Sequence, residues 1–422
     1  IRPRYNAVSK SGRSLFATAG YGYDDRDGGT VARESGFNRV PFREGLRSDR
    51  ADVGATAEIP LKSGKIATRF ALSSNWRERE FGVGPVERDR TSTGFLEVTR
   101  SFVSEPGTTV LGAALQADVF KNELNDQFDR RWLTPALFAT SERNLGPLIV
   151  SASVRGDVHQ DAGTQLTERL AVLIKPREQW SIRGSVGTGF AAATATTEET
   201  EAIGLRAVRR AADMKAEKSR AAMIDINGEV AGAEILITGY ASRIDNALQM
   251  RDATDGSGIA FLQNARGSTR ISGVEALSVW RFKGGKFIGS YGYSYGTRPD
   301  AETGGREIMP LITRHRIGGD LMLERPGVYR AGIEGMWYGP QALDDNPYRS
   351  RSKPYTYVMA IAARQIGAFE LVANFENLLN VRQTDTDPLV RPWPTPAGRW
   401  TTDVWAPLEG FMANVAVRYR WQ

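Results

Sequence analysis

The segment Phe411–Trp421 constrains the fold more than any other stretch, because every odd position in it is apolar. Arg418 and Arg420 stand on the other parity. Successive side chains of a strand point to opposite faces, so the segment predicts a strand whose apolar face ends in the aromatics Tyr419 and Trp421. A soluble sandwich would bury such a face and a membrane barrel would turn it to lipid, so one strand leaves both folds open.

The same two-faced pattern recurs in residues 65–77, 182–190 and 369–376. Short turn signals alternate with longer polar stretches between the strand candidates, and this regular alternation favours the barrel over the sandwich. The short turns are Pro60–Gly64, Ser104–Gly107, Glu142–Gly146, Lys175–Glu178, Val230–Ala233, Lys283–Gly285, Glu324–Gly327 and Gln365–Ala368. Counting the connections predicts about 18 strands of roughly 10–13 residues. The predicted fold is therefore all-β, a transmembrane antiparallel up-and-down β-barrel.

Composition excludes several other classes of protein. The 422 residues include no cysteine, which removes disulfides and thiolate chemistry. No apolar run approaches the roughly 18 residues of a spanning helix, so a membrane location requires a closed barrel. The opening residues 1–12 lack the apolar core of a signal peptide, and we expect the chain to be mature or a piece of a longer protein.

Residues 198–220 have a helix-forming composition with an apolar stripe at Ile203, Ala207 and Ala211. The segment is either a short helix inside a long loop or a separate amphipathic binding element. We favour the loop helix, because strand patterns resume on both sides.

Four stretches make the chain resemble the β-barrel of TonB-dependent outer-membrane receptors. They are RGSVGTGF with TEETEAIGL (183–190 and 197–205), YASRIDNALQ (240–249), QNARGSTRISGVEA (263–276), and NFENLLNVRQT (374–384) followed by the last loop and terminal strand. Their order and spacing are more specific than any one of them. One departure follows GTGF, where the family usually has a basic residue and a proline and this chain reads AAATATT.

The resemblance implies a 22-stranded barrel and an N-terminal plug domain that nothing in residues 1–422 resembles. We therefore expect a longer natural protein, with the plug and first strands outside this sequence and residues 2–8 ending the fourth strand. The implied function is active import of a scarce bulky nutrient, such as a metal chelate or siderophore, a cobalamin-like cofactor or an oligosaccharide. The implied partners are outer-membrane lipid and lipopolysaccharide, the plug, and the TonB–ExbB–ExbD complex. The alternative is a passive pore or structural barrel in a larger envelope complex.

The net charge of +6 belongs to the strands and short turns, because the long polar stretches carry a slight acidic excess. Arg69, Arg183, Arg418 and Arg420 are predicted to face the lumen. They either attract an anionic solute or pair with carboxylates of the plug, and we favour the second interpretation. No basic element interleaved with aromatics indicates nucleic-acid binding.

The long stretch 384–407 is the best candidate for ligand binding, because prolines stiffen it and tryptophans offer flat contact area. The predicted binding residues there and on the preceding long loop are Tyr338, Tyr348, Arg391, Trp393, Arg399, Trp400 and Trp405. The alternative is that the tryptophans pack the loops together or anchor them at the membrane.

We predict no enzyme, cofactor or metal site. His159 and His315 lie on different predicted hairpins, and no serine-hydrolase signature accompanies them. Residues 24–29 and 252–256 offer clustered oxygens before glycine, but neither matches a calcium loop, and we interpret both as solvated turns.

Overall fold

The computed structural model describes residues 1–29, 43–82, 84–195, 197–253, 255–395 and 399–419. Its elements in chain order are β1 (Arg4–Val8), β2 (Ser14–Gly29), β3 (Arg43–Leu61), β4 (Gly64–Phe81), β5 (Glu87–Ser104), β6 (Gly107–Asn122), β7 (Arg130–Leu145), β8 (Leu148–His159), β9 (Gly163–Arg177), β10 (Trp180–Ala191), α1 (Glu198–Ile203), β11 (Val208–Arg210), β12 (Glu217–Val230), β13 (Ala233–Asp245), β14 (Leu248–Asp252), β15 (Ala260–Asn264), β16 (Ser268–Phe282), β17 (Gly285–Pro299), β18 (Arg306–Ile308), β19 (His315–Arg325), β20 (Tyr329–Tyr338), β21 (Tyr355–Ile366), β22 (Phe369–Glu376) and β23 (Met412–Tyr419). Two short 3₁₀ turns lie at Asp126–Phe128 and Gln383–Asp385.

The strands form one antiparallel meander in which each strand pairs with the next long strand of the chain. Twenty strands belong to this sheet within the described residues, and the short β18 pairs only with the end of β17. The strand β1 pairs with β2 and β23 pairs with β22, and these two strands are the edges of the described sheet. The predicted antiparallel barrel with neighbour-to-neighbour connections is confirmed.

All eight predicted short turns connect successive strands at one end of the sheet, which we call the short-turn end. The turn between β12 and β13 shows why local sequence determines these positions. Ala231 and Gly232 both have positive φ, of 51° and 78°, as the tight two-residue hairpin that matches the twist of the strands requires. The opposite end of the sheet, called the long-loop end, carries the long connections.

The two faces of the sheet have the chemistry that the alternation predicts. Phe70 and Leu72 on β4 and Val186 on β10 lie on the apolar outward face and are exposed, Val186 by 54%. On the other parity, Arg77 and Arg79 bind Glu201 of a long loop. Because the loops from distant strands cross over this polar face, it is the inward one.

Many strands are longer than the predicted 10–13 residues, and β3 reaches 19, whereas β22 and β23 have eight each. The extra residues extend at the long-loop end beyond the membrane-spanning length. Charged cross-strand pairs hold them together, such as Arg43 with Glu80 and Arg88 with Glu78. Residues 78–91 form one of the longer polar stretches that the alternation predicts as connections, but polar residues also form strands where both faces meet water, and here they end β4 and begin β5.

The predicted loop helix is confirmed over Glu198–Ile203, but Ala207 and Ala211 of the predicted apolar stripe lie outside it, and the strand β11 lies between them. Thr197 and Thr200 form a reciprocal capping box at its start, which satisfies backbone donors that a helix end leaves open. The long loops also contain a three-stranded sheet in which β15 pairs parallel with β11 and antiparallel with β14. Within the described residues, no helix is both long and apolar enough to cross a membrane.

Candidate functional site

Three long loops at the long-loop end fold together into a small domain. We call the described residues of 123–129, 192–216 and 246–267 the first loop cluster. Its apolar core contains Phe128, Leu205, Val208 and Leu262. These side chains pack with Phe120, an inward-facing residue at the long-loop end of β6. Burial of these side chains stabilises the cluster as it would a small domain, by about 1.5–3 kcal/mol for each large side chain. The three loops therefore form a packed unit at the mouth of the barrel.

A buried ionic network attaches the first loop cluster to the wall. Arg79 is ion-paired with Glu87 and, at 3.2 Å, with Asp89, and all three residues are buried. Arg77 donates to Asp89 at 2.9 Å and, with Arg79, binds Glu201 of α1. Because buried carboxylates need paired cations, the cluster and the ends of β4 and β5 depend on one another.

Two side chains extend this attachment to the loop backbone. Glu87 accepts a hydrogen bond from the backbone N–H of Leu205 at 2.7 Å. The Asn125 amide donates to the carbonyl oxygens of Leu205 and Val208 at 2.7 and 2.8 Å. Buried backbone groups that would otherwise lack partners are thereby satisfied, which fixes the path of the chain after α1.

The stretch 263–276, which carries part of the family resemblance, also fixes the path of the loop backbone. The Asn264 side chain accepts from the N–H of Lys215 at 2.7 Å and donates to the carbonyl oxygens of Lys215 and Asn246. It therefore joins the end of one long loop to the start of the next. The Asn residue of this motif has a structural role in this chain.

The two last long loops form a second unit, the second loop cluster, which comprises the described residues of 339–354 and 377–411. Three arginine–aspartate pairs brace it: Arg349 with Asp387, Arg391 with Asp345, and Arg399 with Asp403. The first two pairs join one loop to the other. Charge-assisted pairs in such partly buried positions fix geometry more firmly than exposed pairs do.

Gln383 and Asn377 close the last loop on itself, and both side chains are fully buried. Gln383 accepts from the N–H groups of Trp405 and Ala406 and donates to the Asp403 carbonyl at 2.7 Å. Asn377 has φ of 50° and donates to the carbonyl oxygens of Val381 and Glu409. The start and the end of a loop of more than thirty residues are therefore held side by side. Sequence reasoning missed both residues, although NFENLLNVRQT was noted as a motif.

The predicted binding residues differ widely in how far the structure exposes them. Arg391 is buried and Arg399 is half-buried, and both are bonded to aspartates of the cluster. Trp405 is 5% exposed and lies in the interior of the cluster. Trp393 is 64% exposed, which makes it the most accessible aromatic of the group.

The other predicted aromatics lie between these extremes. Trp400 is half-buried, and its carbonyl accepts from the Arg391 N–H at 2.9 Å. Tyr348 donates its hydroxyl to the Val390 carbonyl at 2.7 Å, and burial raises the pKa of that hydroxyl, which keeps it protonated as a donor. Tyr338 lies apart from the other six predicted residues. It is the last residue of β20, at the long-loop end, and its side chain faces inward.

Tyr338 lines an inward pocket of the barrel wall of about 390 Å³, next to the ion pair between Arg316 and Glu275. Its ring stacks on Tyr355 with 4.8 Å between ring centres. The pocket offers an aromatic face, a guanidinium and a carboxylate to a solute in the lumen. The structure thus brings together most of the predicted residues in one cluster, with Tyr338 on the wall.

The predicted lumen-facing arginines are inward where they are described. Arg69 pairs with Glu97 at 3.2 Å and Arg418 with Glu370 at 3.6 Å, both across neighbouring strands. For Arg183, no carboxylate of the described chain lies within 4.0 Å. Arg420 lies outside the described residues. Carboxylates of the neighbouring strands are therefore partners of Arg69 and Arg418.

Comparison with known proteins completes the description. The family model "TonB dependent receptor-like, beta-barrel" matches residues 4–378. The chain belongs to the TonB-dependent receptor family. The match runs from β1 to just past the end of β22, so it includes all the strands that carry the first loop cluster, whereas most of the last long loop and β23 lie beyond it.

Solved structures of TonB-dependent barrels agree in fold. The FrpB iron transporter from Neisseria meningitidis (F3-3 variant) superposes with a TM-score of 0.75 at 12% identity, covering 99% of this chain and 71% of that one. The siderophore receptor PirA from Acinetobacter baumannii gives 0.72 at 12%, covering 99% and 69%. A mutant ferric enterobactin receptor (PfeA) from Pseudomonas aeruginosa in complex with enterobactin gives 0.71 at 14%, covering 98% and 78%. At these identities the likeness concerns the barrel fold.

Proposed function

We propose that the chain is the barrel of a multi-pass outer-membrane transporter that binds a scarce bulky nutrient and imports it actively. The observation that carries the proposal is the state of the long loops, which are braced into two packed clusters at the barrel mouth. A passive pore needs no such structure above its opening. Preorganised loops, in contrast, reduce the entropy lost when a ligand binds.

A ferric chelate is the nutrient class that the comparisons favour. The similar proteins are an iron transporter, a siderophore receptor and a ferric enterobactin receptor, and siderophores are bulky and polar. The exposed Trp393 and the inward pocket at Tyr338 supply aromatic contacts on the path into the barrel. Import in this family uses a plug domain and the TonB–ExbB–ExbD complex, which we propose as partners.

Uptake by the full-length protein tests the proposal. In a strain that lacks its other receptors, we expect accumulation of radioactive iron from a panel of ferric siderophores, and loss of that accumulation when TonB is deleted. Accumulation that persists without TonB would support a passive pore instead. Uptake of cobalamin or maltooligosaccharide, without uptake of any ferric siderophore, would overturn the assigned nutrient class.

Replacing Trp393 by alanine should weaken ligand capture at least tenfold, because an exposed aromatic on a stiff loop is a typical binding hot spot. The change should leave the abundance of the barrel in the membrane unaltered, since Trp393 is 64% exposed. Binding of the ferric siderophore that is taken up measures the effect. Val404→Ala is the matched control, because Val404 is a 55% exposed apolar residue of the same loop. Equal binding by both variants would remove Trp393 from the site.

A further inference from the structure

The two loop clusters are attached to the barrel in different ways. The first loop cluster is bound to strands that do not carry its loops. Glu201 pairs with Arg77 and Arg79 of β4, and the Arg79 side chain is buried. Arg210 also lies 3.9 Å from Asp161, in the connection between β8 and β9. Because these bonds reach several strands of the rim, the first loop cluster is held firmly against the wall.

The second loop cluster has a much weaker attachment. Within the described residues, one ion pair joins it to a strand outside β20–β23, from Arg298 of β17 to Asp344 at 2.9 Å. The two side chains are 25% and 42% exposed, and exposed pairs contribute little to stability. A backbone hydrogen bond from the Leu311 N–H to the Ala342 carbonyl lies on the same side of the cluster. The attachment is therefore local and partly open to water.

Inside the second loop cluster, in contrast, the bracing is strong. Arg349 with Asp387 and Arg391 with Asp345 join its two loops, and Gln383 holds the start and end of the last loop together. A unit that is braced internally but weakly attached to its surroundings can move as one body about the short segments that connect it to the strands.

The seam between the two clusters is lined by like charges. Burial raises the pKa of the Asp252 carboxyl at the end of β14, and the carboxylates of Asp345 and Glu302 raise it further, whereas Arg391 opposes them. These three carboxylates come from three different loops. Within the described residues, no ion pair crosses from the first loop cluster to the second. Facing carboxylates disfavour close contact, so the seam is where the two clusters separate most easily.

We propose that the second loop cluster is a gate, which moves as one body away from the first loop cluster, and that the ion pair between Arg298 and Asp344 is the latch that limits this motion. The first loop cluster is then the fixed side of the mouth. That the gate admits the nutrient rests on the proposed function, whereas the motion itself does not.

Distances between spin labels test the motion in the full-length protein in lipid vesicles, in a variant that has no other cysteine. One label replaces Leu137, which is exposed on the outward face of β7. The second replaces either the exposed Val404 of the second loop cluster or the exposed Arg266 of the first. We expect the distance distribution from 137 to 404 to be at least twice as wide as that from 137 to 266. Arg298→Gln should widen the first distribution further and leave the second unchanged.

Two other substitutions make the test specific. Arg281→Gln is the matched control, because it removes an exposed pair with Glu234 at the short-turn end and should change neither distribution. Asp252→Asn should narrow the distribution from 137 to 404, because it removes one of the facing carboxylates. If Arg298→Gln does not fold, Asp344→Asn, which keeps its N–H bond to Asp403, replaces it.

Each remaining outcome contradicts part of the proposal. Equal widths for the two label pairs in the wild type would overturn the gate. An unchanged distribution in the latch variant would overturn the role of Arg298. Widening of both distributions would indicate a general loss of packing and would overturn the gate as well.

Covalent ties connect the gate to uptake. Cysteines at 298 and 344, joined by a reducible thiol cross-linker, should slow uptake of the ferric siderophore at least tenfold, and a reductant should restore it. The same tie between cysteines at 210 and 161, which joins the first loop cluster to the wall, should leave uptake unchanged. Full uptake through the tied gate would overturn its role in entry. If the labels report the motion but no ferric siderophore is taken up, the assigned nutrient class fails and the gate does not.

Discussion

Replacing Arg79 by methionine should release the first loop cluster from the barrel wall. The substitution keeps the volume of the side chain but leaves the buried carboxylates of Glu87 and Asp89 with too few cations. Removing one partner of a buried ion pair costs about 3–5 kcal/mol, which would raise the open population of the cluster by roughly two to four powers of ten. The Leu205 N–H donates a hydrogen bond to the Glu87 carboxylate in the closed cluster. The rate of hydrogen exchange at this N–H therefore measures the opening directly.

The control for this change is Arg88→Ala. Arg88 is adjacent to Glu87 in the chain, but its ion pair with Glu78 is exposed, so its loss should have little effect. Barrel melting should be similar in both variants, because the network lies at the end of the strands. If hydrogen exchange at Leu205 were equally slow in the two variants, the ionic network would not be what holds the cluster to the wall.

Replacing Gln383 by leucine should open the last loop and remove ligand binding with it. The leucine would fill the volume but leave the N–H groups of Trp405 and Ala406 and the Asp403 carbonyl without partners. Each buried backbone group left unsatisfied costs about 1–3 kcal/mol. Three such groups should make the closed conformation of the last loop unstable. We expect rapid proteolysis within 384–407 in intact membranes and at least tenfold weaker ligand binding.

Gln383→Glu separates hydrogen bonding from packing at this position. A carboxylate can still accept from both N–H groups but cannot donate to Asp403, so this variant should lie between wild type and leucine. Asn374, whose amide donates to the inward Asn414 at 2.9 Å, offers a second control, because Asn374→Leu changes an amide of the wall outside the loop. Protease resistance of Gln383→Leu equal to that of the wild type would contradict the anchoring role of Gln383.

The barrel could be predicted from sequence because its determinants are local. Alternation along one strand identifies its two faces, and a turn such as Ala231–Gly232 identifies itself by its own residues. The small sheet of β11, β14 and β15 could not be predicted in this way. Its strands are only three to five residues long, and β11 pairs parallel with a strand some fifty residues later in the chain. Nothing in the immediate sequence of either strand indicates that pairing.

The candidate site likewise has features that the local sequence predicts and features that depend on contacts between distant residues. Composition identified the last loop as rich in tryptophan and proline, but it could not distinguish Trp393, which is exposed, from Trp405, which is in the interior. Likewise, Arg391 and Arg399 have the residue type of a ligand contact, and their aspartate partners became visible only in the folded loops. Exposure and pairing depend on contacts between loops, and these are set by residues such as Gln383.

Spin-label accessibility tests the central claim, that one face of every strand meets lipid and the other meets the lumen. Residues 1–422 contain no cysteine, so single cysteines can be placed at successive positions 66–74 of β4 without a competing thiol in this part of the protein. In lipid vesicles, labels at the outward positions, including Phe70 and Leu72, should collide with dissolved oxygen. Labels at the inward positions, including Arg69 and Ala71, should collide with a water-soluble nickel complex, which gives a period of two. Accessibility without that period, or with the lipid contact on the parity of Arg69, would contradict the account.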